Sequence, residues 1–405
     1  MRVADVADVL DLTDPAVVAE PYAALAAARA VAPVAWHSGL GMYVATSHGA
    51  CNAVLRDRAL GRIFQVREPD TDDVWATFNW LHADSILDSE PPKHTRLRRL
   101  IAGAFGRGHV QRLAPRIAEL TDRLIDDCAQ AIFDAGEVDA IAALAEPLPV
   151  LVIAELLGFP EADQHLLRPW SQAIVKMYEV SRTPEEDAAA QQASREFAAY
   201  VEDLATARAA APGDDLLSDL VAARDGTDRL SPRELVATAV LLLNAGHEAS
   251  VNGFGNGLAS LLESAAYTSG SWSPTGEWDP AVVVEEMLRH DSPLHLFERT
   301  ATQATTVGDV TLAPGDKIAA LLGAANRDPA VFAEPDVFDP TRDPNPHLAF
   351  GAGIHFCVGA PLARLELATS VSRLLARWSH LRVVAAERRP TFVLRGYERL
   401  TIAPA

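Results

Sequence analysis

Phe350-Gly-Ala-Gly-Ile-His-Phe-Cys-Val-Gly-Ala-Pro-Leu-Ala-Arg-Leu-Glu366 is the stretch around which the rest of the chain is organised. Gly351 and Gly353 loosen its first half into a loop that presents one thiol, Cys357. Its second half turns helical, with apolar periodicity through Leu362, Leu365, Leu367, Val371 and Leu374. Pro361 suits the first helical turn, where its missing N–H costs nothing. Cys357 then stands at a helix N-terminus, whose free N–H groups and positive dipole end favour a thiolate. Glycines let a backbone approach a flat object that side chains would hold off. Phe350 and Phe356 give the loop apolar cover. Such a thiolate suits either nucleophilic attack or the binding of a soft metal centre.

Phe350, Gly351, Gly353, His355, Cys357 and Gly359 stand in the order Phe-Gly-x-Gly-x-His-x-Cys-x-Gly. This string resembles the haem-binding loop of the cytochrome P450 family, and is far longer and more specific than a lone CxxC. The resemblance implies that Cys357 is the proximal ligand of a haem b iron, its thiolate pushing electron density toward oxygen. A buried structural cysteine in a Gly-rich loop is the ordinary reading of an isolated thiol, and the ordered string argues against it.

Composition narrows the class. The chain has 405 residues, 49% of them apolar, enough for a large core. Its 35 basic and 55 acidic residues leave a net charge of −20, which argues against non-specific nucleic-acid binding. Cys51, Cys128 and Cys357 are too few and scattered for a disulfide framework or a four-ligand zinc site. The N-terminus lacks a signal h-region. No window of about 20 apolar residues is long enough to span a bilayer. These features predict a cytoplasmic protein without a membrane anchor, the bacterial type within the resembled family.

Helical periodicity dominates the chain. It predicts helices over 16–31, 49–58, 92–105, 110–134, 146–158, 161–180, 184–210, 232–263 and 280–290. Short strands are expected at 34–36 and 42–46, a hairpin over 307–317 turning at Ala313-Pro-Gly-Asp316, and closing strands at 382–384 and 391–402. Residues 61–88 read as a long loop with at most a short helix, and 326–348 as irregular. The pattern is mainly α with small β-sheets and no βαβ alternation. It fits the cytochrome P450 fold, with residues 1–405 forming a single triangular domain, the haem-binding Cys loop at 350–359 and the oxygen-activating helix at about 232–263.

Several further groups match the family at their own positions. Glu286 and Arg289 lie at i, i+3 on an amphipathic helix and so share a face. They resemble the family's Glu-x-x-Arg pair, for which Arg342 is the expected third member of a structural network; the commoner fate of such a pair is a weak surface contact. His94 and Arg98, at i, i+4, share one helical face. With Arg299 and His355 they are the groups the resemblance assigns to the haem propionates, and Arg suits forked carboxylate contacts.

Leu241-Leu-Leu-Asn-Ala-Gly-His-Glu-Ala-Ser-Val251 resembles the oxygen-activating helix, where Ala-Gly-x-Glu/Asp-Thr is usual. Ala245 and Gly246 are small enough for oxygen and substrate to lie against the backbone. Glu248 matches the proton-relaying acid. The alcohol that normally follows is replaced by Ala249, and Ser250 is rotated about 100° away. The resemblance to alcohol-lacking members implies proton delivery by water or a substrate hydroxyl; poor coupling and an atypical oxidation are the alternatives. Gly253, Gly255 and Gly257 point to close helix crossings.

Trp80, Leu242, Ala245, Leu294, Phe297 and Val393, with Phe64, Leu81, Ile86 and Leu394, are the candidate pocket walls; they are mostly apolar and imply a small hydrophobic substrate. His82, His295 and Arg395 could bind a polar group. Lys93, Arg96, Arg99, Arg107, Arg112, Arg116 and Arg364 form a candidate basic patch for an acidic ferredoxin. No flavin or dinucleotide fingerprint is present, so electrons are expected from a separate ferredoxin and its reductase.

The chain therefore reads as a haem-thiolate monooxygenase that reduces O2 with two electrons and hydroxylates or epoxidises an apolar molecule. A haem-thiolate sensor without turnover is one rival, supported by Ala249. A Cys-nucleophile hydrolase is another, and it would need a base beside Cys357; His355 at i−2 is badly placed for that.

Overall fold

The computed structural model describes residues 3–63, 74–102, 107–179, 182–223 and 228–405. Phe64 lies outside the described residues, as does the side chain of Arg107. The described chain is mainly helical. Its first half carries α1 (Pro15–Ala19), α2 (Tyr22–Val31), α3 (His48–Arg56), α4 (Ala76–Ala83), α5 (Lys93–Ala102), α6 (Arg107–Ala135), α7 (Pro147–Leu157) and α8 (Gln164–Val175). The second half carries α9 (Pro184–Ala210), α10 (Leu216–Ala222), α11 (Pro232–Glu263), α12 (Ala265–Thr268), α13 (Pro280–His290), α14 (Leu322–Ala325) and α15 (Ala360–Arg377).

The long helix α11 begins where its sequence says it should. The Ser231 hydroxyl accepts from the Glu234 N–H, the Glu234 carboxylate accepts from the Ser231 N–H, and Pro232 fills the first turn. Thr183 and Glu186 build the same box at the start of α9. Buried on most of its sides, α11 crosses the molecule against α7, α8, α9, α13 and α15. Two of its glycines allow close approaches, Gly257 to α13 and Gly255 to the turn before α7. A Cβ on Gly257 would stand 2.5 Å from Met287 Cβ, and one on Gly255 would stand 2.7 Å from Ile141 Cδ1.

Small sheets flank the helices. A five-stranded sheet has the order β1 (Val34–His37), β2 (Met42–Ala45), β8 (Lys317–Leu321), β5 (Leu296–Ala301), β3 (Leu60–Gly61). β4 (Val138–Asp139), β10 (Tyr397–Pro404) and β9 (Leu381–Arg388) form a second sheet, and β6 (Thr305–Val307) pairs with β7 (Val310–Leu312).

Four local expectations need correction. The helix expected over 16–31 is two helices, because Pro21 disfavours helical geometry at Glu20 before it. The hairpin turns at Gly308-Asp309, where Gly308 has φ +56°, rather than at Ala313-Pro-Gly-Asp316; that second turn leads into β8 in another sheet. The last strand starts at Tyr397, leaving 391–396 as a turn that faces the interior. The short helix α10, capped by Asp215, lies in a stretch without a predicted element. Among the described residues no helix is long and apolar enough to cross a membrane.

Candidate active site

The Cys357 loop is held open by backbone geometry that its glycines permit. Gly351 and Gly353 adopt φ +68° and +72°. A Cβ at Gly353 would sit 2.3 Å from the Leu55 carbonyl oxygen, so the loop lies directly on the end of α3. The Cys357 N–H donates to the Phe350 carbonyl at 3.0 Å, closing the loop before α15 begins. Phe350 lies under the Arg364 guanidinium, 4.5 Å from ring centroid to Cζ, whereas Phe356 is exposed. Burial raises the pKa of the Cys357 thiol, outweighing the Gly359 and Ala360 N–H groups and the Arg98 and Arg364 charges that pull it down. The helix terminus alone therefore does not make a thiolate; a directly bound cation would.

His94, Arg98, Arg299 and His355 come together beside this loop. The His94 and His355 rings stand 4.5 Å apart. Arg98 donates from Nη1 to the Ile354 carbonyl at 3.1 Å. Arg299, 1% exposed, donates from Nη1 to the Glu298 carbonyl, and its Nη2 has no partner. The buried His94 Nε2 has none either. Burial, then the neighbouring His355 and Arg98, drive the His94 pKa down to about 4. Burial and the Arg62 guanidinium lower Arg299 to about 9. Two carboxylates face this cluster: Glu90, 2.8 Å from His355 Nε2, and Asp88, 2.9 Å from Arg62 Nη2. The cluster leaves two buried nitrogens, His94 Nε2 and Arg299 Nη2, without partners. His355 turns to Glu90 and His94, so the base that a Cys-nucleophile hydrolase needs is engaged elsewhere.

Midway along α11 one stripe is open: Leu241, Ala245 and Ala249, at i, i+4 and i+8, retain accessible surface, as does Gly246 beside them. Ala245 is the most open of these. Gly246 faces α7 instead, where a Cβ would stand 3.0 Å from Ile153 Cδ1. Glu248 is 3% exposed; its Oε2 accepts from Arg389 Nη1 at 2.7 Å and its buried Oε1 has no partner. Arg389 also reaches Glu146 at 3.3 Å, and Arg168 holds the other side of Glu146 at 2.5 Å. Ser250 is buried off the open stripe.

The remaining expected walls divide. Leu241 is open to the interior while Leu242 packs in the core. Trp80 lies under Arg233, whose Cζ is 5.4 Å from its ring, and Leu81 and His82 line the pocket in its place. Phe297 is flanked by Arg62 and Arg299, each 4.7 Å from its ring, at the cationic cluster. At the C-terminal turn Val393 is buried and Leu394 half-exposed, with Leu294 bridging to Leu394. His295 and Arg395 belong to a buried network with Tyr22, Asp291 and Arg388 instead of the pocket. His82 stacks on Phe78 at 4.0 Å.

Glu286, fully buried, accepts from Arg289 Nε and Nη2 at 2.7 and 2.8 Å, from Arg342 Nε at 3.1 Å and from Asn345 Nδ2 at 3.0 Å. The basic patch is thinner than its residue count implies. Lys93 pairs with Asp84, Arg96 with Glu234 and Asp228, Arg116 with Glu155 and Glu119, and Arg364 with Glu285. Glu90 and Arg389 carry no motif, and their pairings with His355 and Glu248, across 265 and 141 residues, leave no local trace. Asn244 does leave one, as the single amide in an apolar run.

The cytochrome P450 family model matches residues 281–393. The chain is 41% identical to cytochrome P450 107B1 of Saccharopolyspora erythraea, over 79% of this chain and 77% of that one. It is 39% identical to nocardicin C N-oxygenase of Nocardia uniformis, over 89% and 88% of the two. Its fold matches the crystal structure of P450BioI in complex with hexadec-9Z-enoic acid ligated acyl carrier protein with a TM-score of 0.89, at 30% identity and covering 96% and 99% of the two chains. With relatives this similar aligned along most of its length, the chain belongs to the bacterial cytochrome P450 family, whose members hold haem b and act as monooxygenases, oxidoreductases that incorporate oxygen from O2.

Proposed function

We propose that residues 1–405 act as one domain that hydroxylates or epoxidises a small hydrophobic molecule, drawing two electrons from a ferredoxin and its reductase in the cytoplasm. In this reading Cys357 is the iron ligand, and His94, Arg98, Arg299 and His355 receive the two propionates. The observation that carries it is the pair of buried nitrogens without partners, His94 Nε2 and Arg299 Nη2, gathered with Arg98 and His355 beside the Cys357 loop. Two carboxylates would accept from Arg299 Nη2 and, in the tautomer that carries its hydrogen there, from His94 Nε2. Haem bound there would supply the activation of O2.

The chain's own residues would do the rest. Ala245 leaves room for oxygen and substrate on the open stripe of α11. Glu248 offers its free Oε1 to the proton relay while Arg389 fixes Oε2. Because Ala249 has no hydroxyl, a water or a substrate hydroxyl carries that proton across the open stripe. The mostly ion-paired arginines of the proximal side leave a donor with a docking surface that is weakly basic.

The test is the purified, haem-loaded protein. Its reduced carbon monoxide complex should show the red-shifted absorption of a thiolate-ligated iron, and Cys357→Ser should abolish it while His94 and Arg299 still retain pigment. A wild-type complex without that band refutes the assignment of Cys357.

A further inference from the structure

Glu179 follows the short helical turn Lys176–Tyr178 at the end of α8, and it is buried, 8% exposed. Among the described residues its carboxylate forms no ion pair; the nearby Lys176 pairs with Glu186. Both oxygens serve the far end of the chain instead. Oε2 accepts from the Val393 N–H at 3.3 Å and Oε1 from the Leu394 N–H at 2.9 Å, across 214 and 215 residues. Burial raises the Glu179 pKa, against the N–H groups of Leu394, Val393 and Phe392 and the Lys176 charge that lower it. Backbone N–H groups thus stand where a buried carboxylate ordinarily has a cation.

The other side of that turn is fixed to its own neighbours. The His295 N–H donates to the Val393 carbonyl at 2.9 Å, and the Arg395 N–H donates to the Pro293 carbonyl at 3.0 Å. The Thr391 hydroxyl donates to the Leu394 carbonyl at 2.7 Å. Thr391 shows that a turn can be braced by a residue beside it. A carboxylate brought from the end of α8 does something more, because it fixes the distance between two elements.

Those two elements meet α11 at opposite ends of its open stripe. Tyr178 and Leu241 line one small cavity, so the residue before Glu179 stands against the first member of the stripe. At the other end Gly396 presses on Asn252, whose amide a Cβ on Gly396 would strike. Asn252 lies at i+7 from Ala245 and i+3 from Ala249, on their face of the helix. The two bonds of Glu179 therefore join the segments that flank Ala245 and Ala249.

We infer that Glu179 is a positioning residue that holds the Val393–Leu394 turn to the end of α8 and so sets how large a molecule fits over Ala245 and Ala249. A small ligand that does not reach the turn is indifferent to it. A larger apolar one leans on Val393 and Leu394 and needs them in place. This deepens the monooxygenase reading, and rests on its assignment of the open stripe to the substrate.

The experiment compares Glu179→Gln with the wild type, both haem-loaded, using imidazole and 4-phenylimidazole, two ligands of the iron that differ by one phenyl ring. Gln keeps the size and one acceptor oxygen but sets an NH2 group against the second N–H. Read from the haem absorption, 4-phenylimidazole should lose about tenfold in affinity, one hydrogen bond to a charged acceptor, while imidazole stays within about twofold. Amide hydrogen exchange should speed up about tenfold in the peptide that holds Val393 and Leu394 and stay unchanged in α13. Glu179→Asp, which keeps the charge on a shorter stem, should recover part of both. A merely structural role would lower the urea midpoint and leave the ratio of the two affinities alone. Unchanged exchange at Val393 and Leu394, equal losses for the two ligands, or no binding of 4-phenylimidazole to the wild type overturns the inference. Hydrogen exchange needs no iron, so it still decides whether Glu179 holds the turn if the thiolate band is missing, the result that refutes the Cys357 assignment.

Discussion

Glu286→Gln keeps the size of the side chain at the centre of the buried network and removes its charge. The fully buried Arg289 then faces an amide in place of a carboxylate, and Arg342 and Asn345 lose their shared acceptor oxygen. Breaking one side of a buried pair costs about 3–5 kcal/mol, against a total of about 5–15 kcal/mol for a folded protein. The substitution should therefore consume a large part of the stability. The geometry also separates this network from a simple ion pair. An isolated buried pair replaced by apolar residues is often neutral. Here Arg289 also donates to the carbonyls of Asn326 and Pro335, and Glu286 Oε1 accepts from the Asp339 N–H at 2.8 Å. The double variant Glu286→Leu, Arg289→Met strands those backbone groups, each at about 1–3 kcal/mol. It should stay at least about 3 kcal/mol below the wild type. Urea unfolding followed by circular dichroism, at equal haem excess for every protein, measures both. A Glu286→Gln variant within about 1 kcal/mol of the wild type, or a double variant as stable as the wild type, refutes the reasoning.

Acid should destabilise the protein from near neutrality. Burial, with Arg327, lowers His290 to about 3, and burial, with Arg395, lowers His295 to about 3. Unfolded, both titrate near 6.5, so their contribution is complete above that pH and is lost as pH falls toward 3, with a slope of about 1.4 kcal/mol per pH unit for each. Urea midpoints between pH 7 and pH 4 check this, and His290→Gln should flatten the slope. Arg299→Gln removes a buried guanidinium from the cationic cluster, and should raise the rate of haem transfer to apomyoglobin about tenfold, one charge-assisted contact. Gly257→Ala, usually favourable inside a helix, should cost about 1–3 kcal/mol in urea because its methyl meets the Met287 Cβ. Met287→Ala in the same chain should recover part of that loss.

The sequence discloses whatever is set by neighbours along the chain. Helices α9, α11 and α13 begin and end where their residues predict, since Thr183, Ser231 and Asp279 each cap their own helix next to a proline. The Cys357 loop is legible for the same reason: glycine geometry, thiol and helix start fall within ten residues. The charges that govern the site are written elsewhere. His355 is held by Glu90, 265 positions away, and Glu248 by Arg389, 141 positions away, and no periodicity encodes either meeting. The difference shows most sharply at Glu248. Read along the chain, its salient feature is the missing alcohol at Ala249. In the fold, one of its oxygens is tied into the Arg389, Glu146 and Arg168 pairs, while the other is left without a partner. A tied carboxylate cannot swing to compensate for an absent hydroxyl, which supports the proposal that water or the bound molecule bridges the gap.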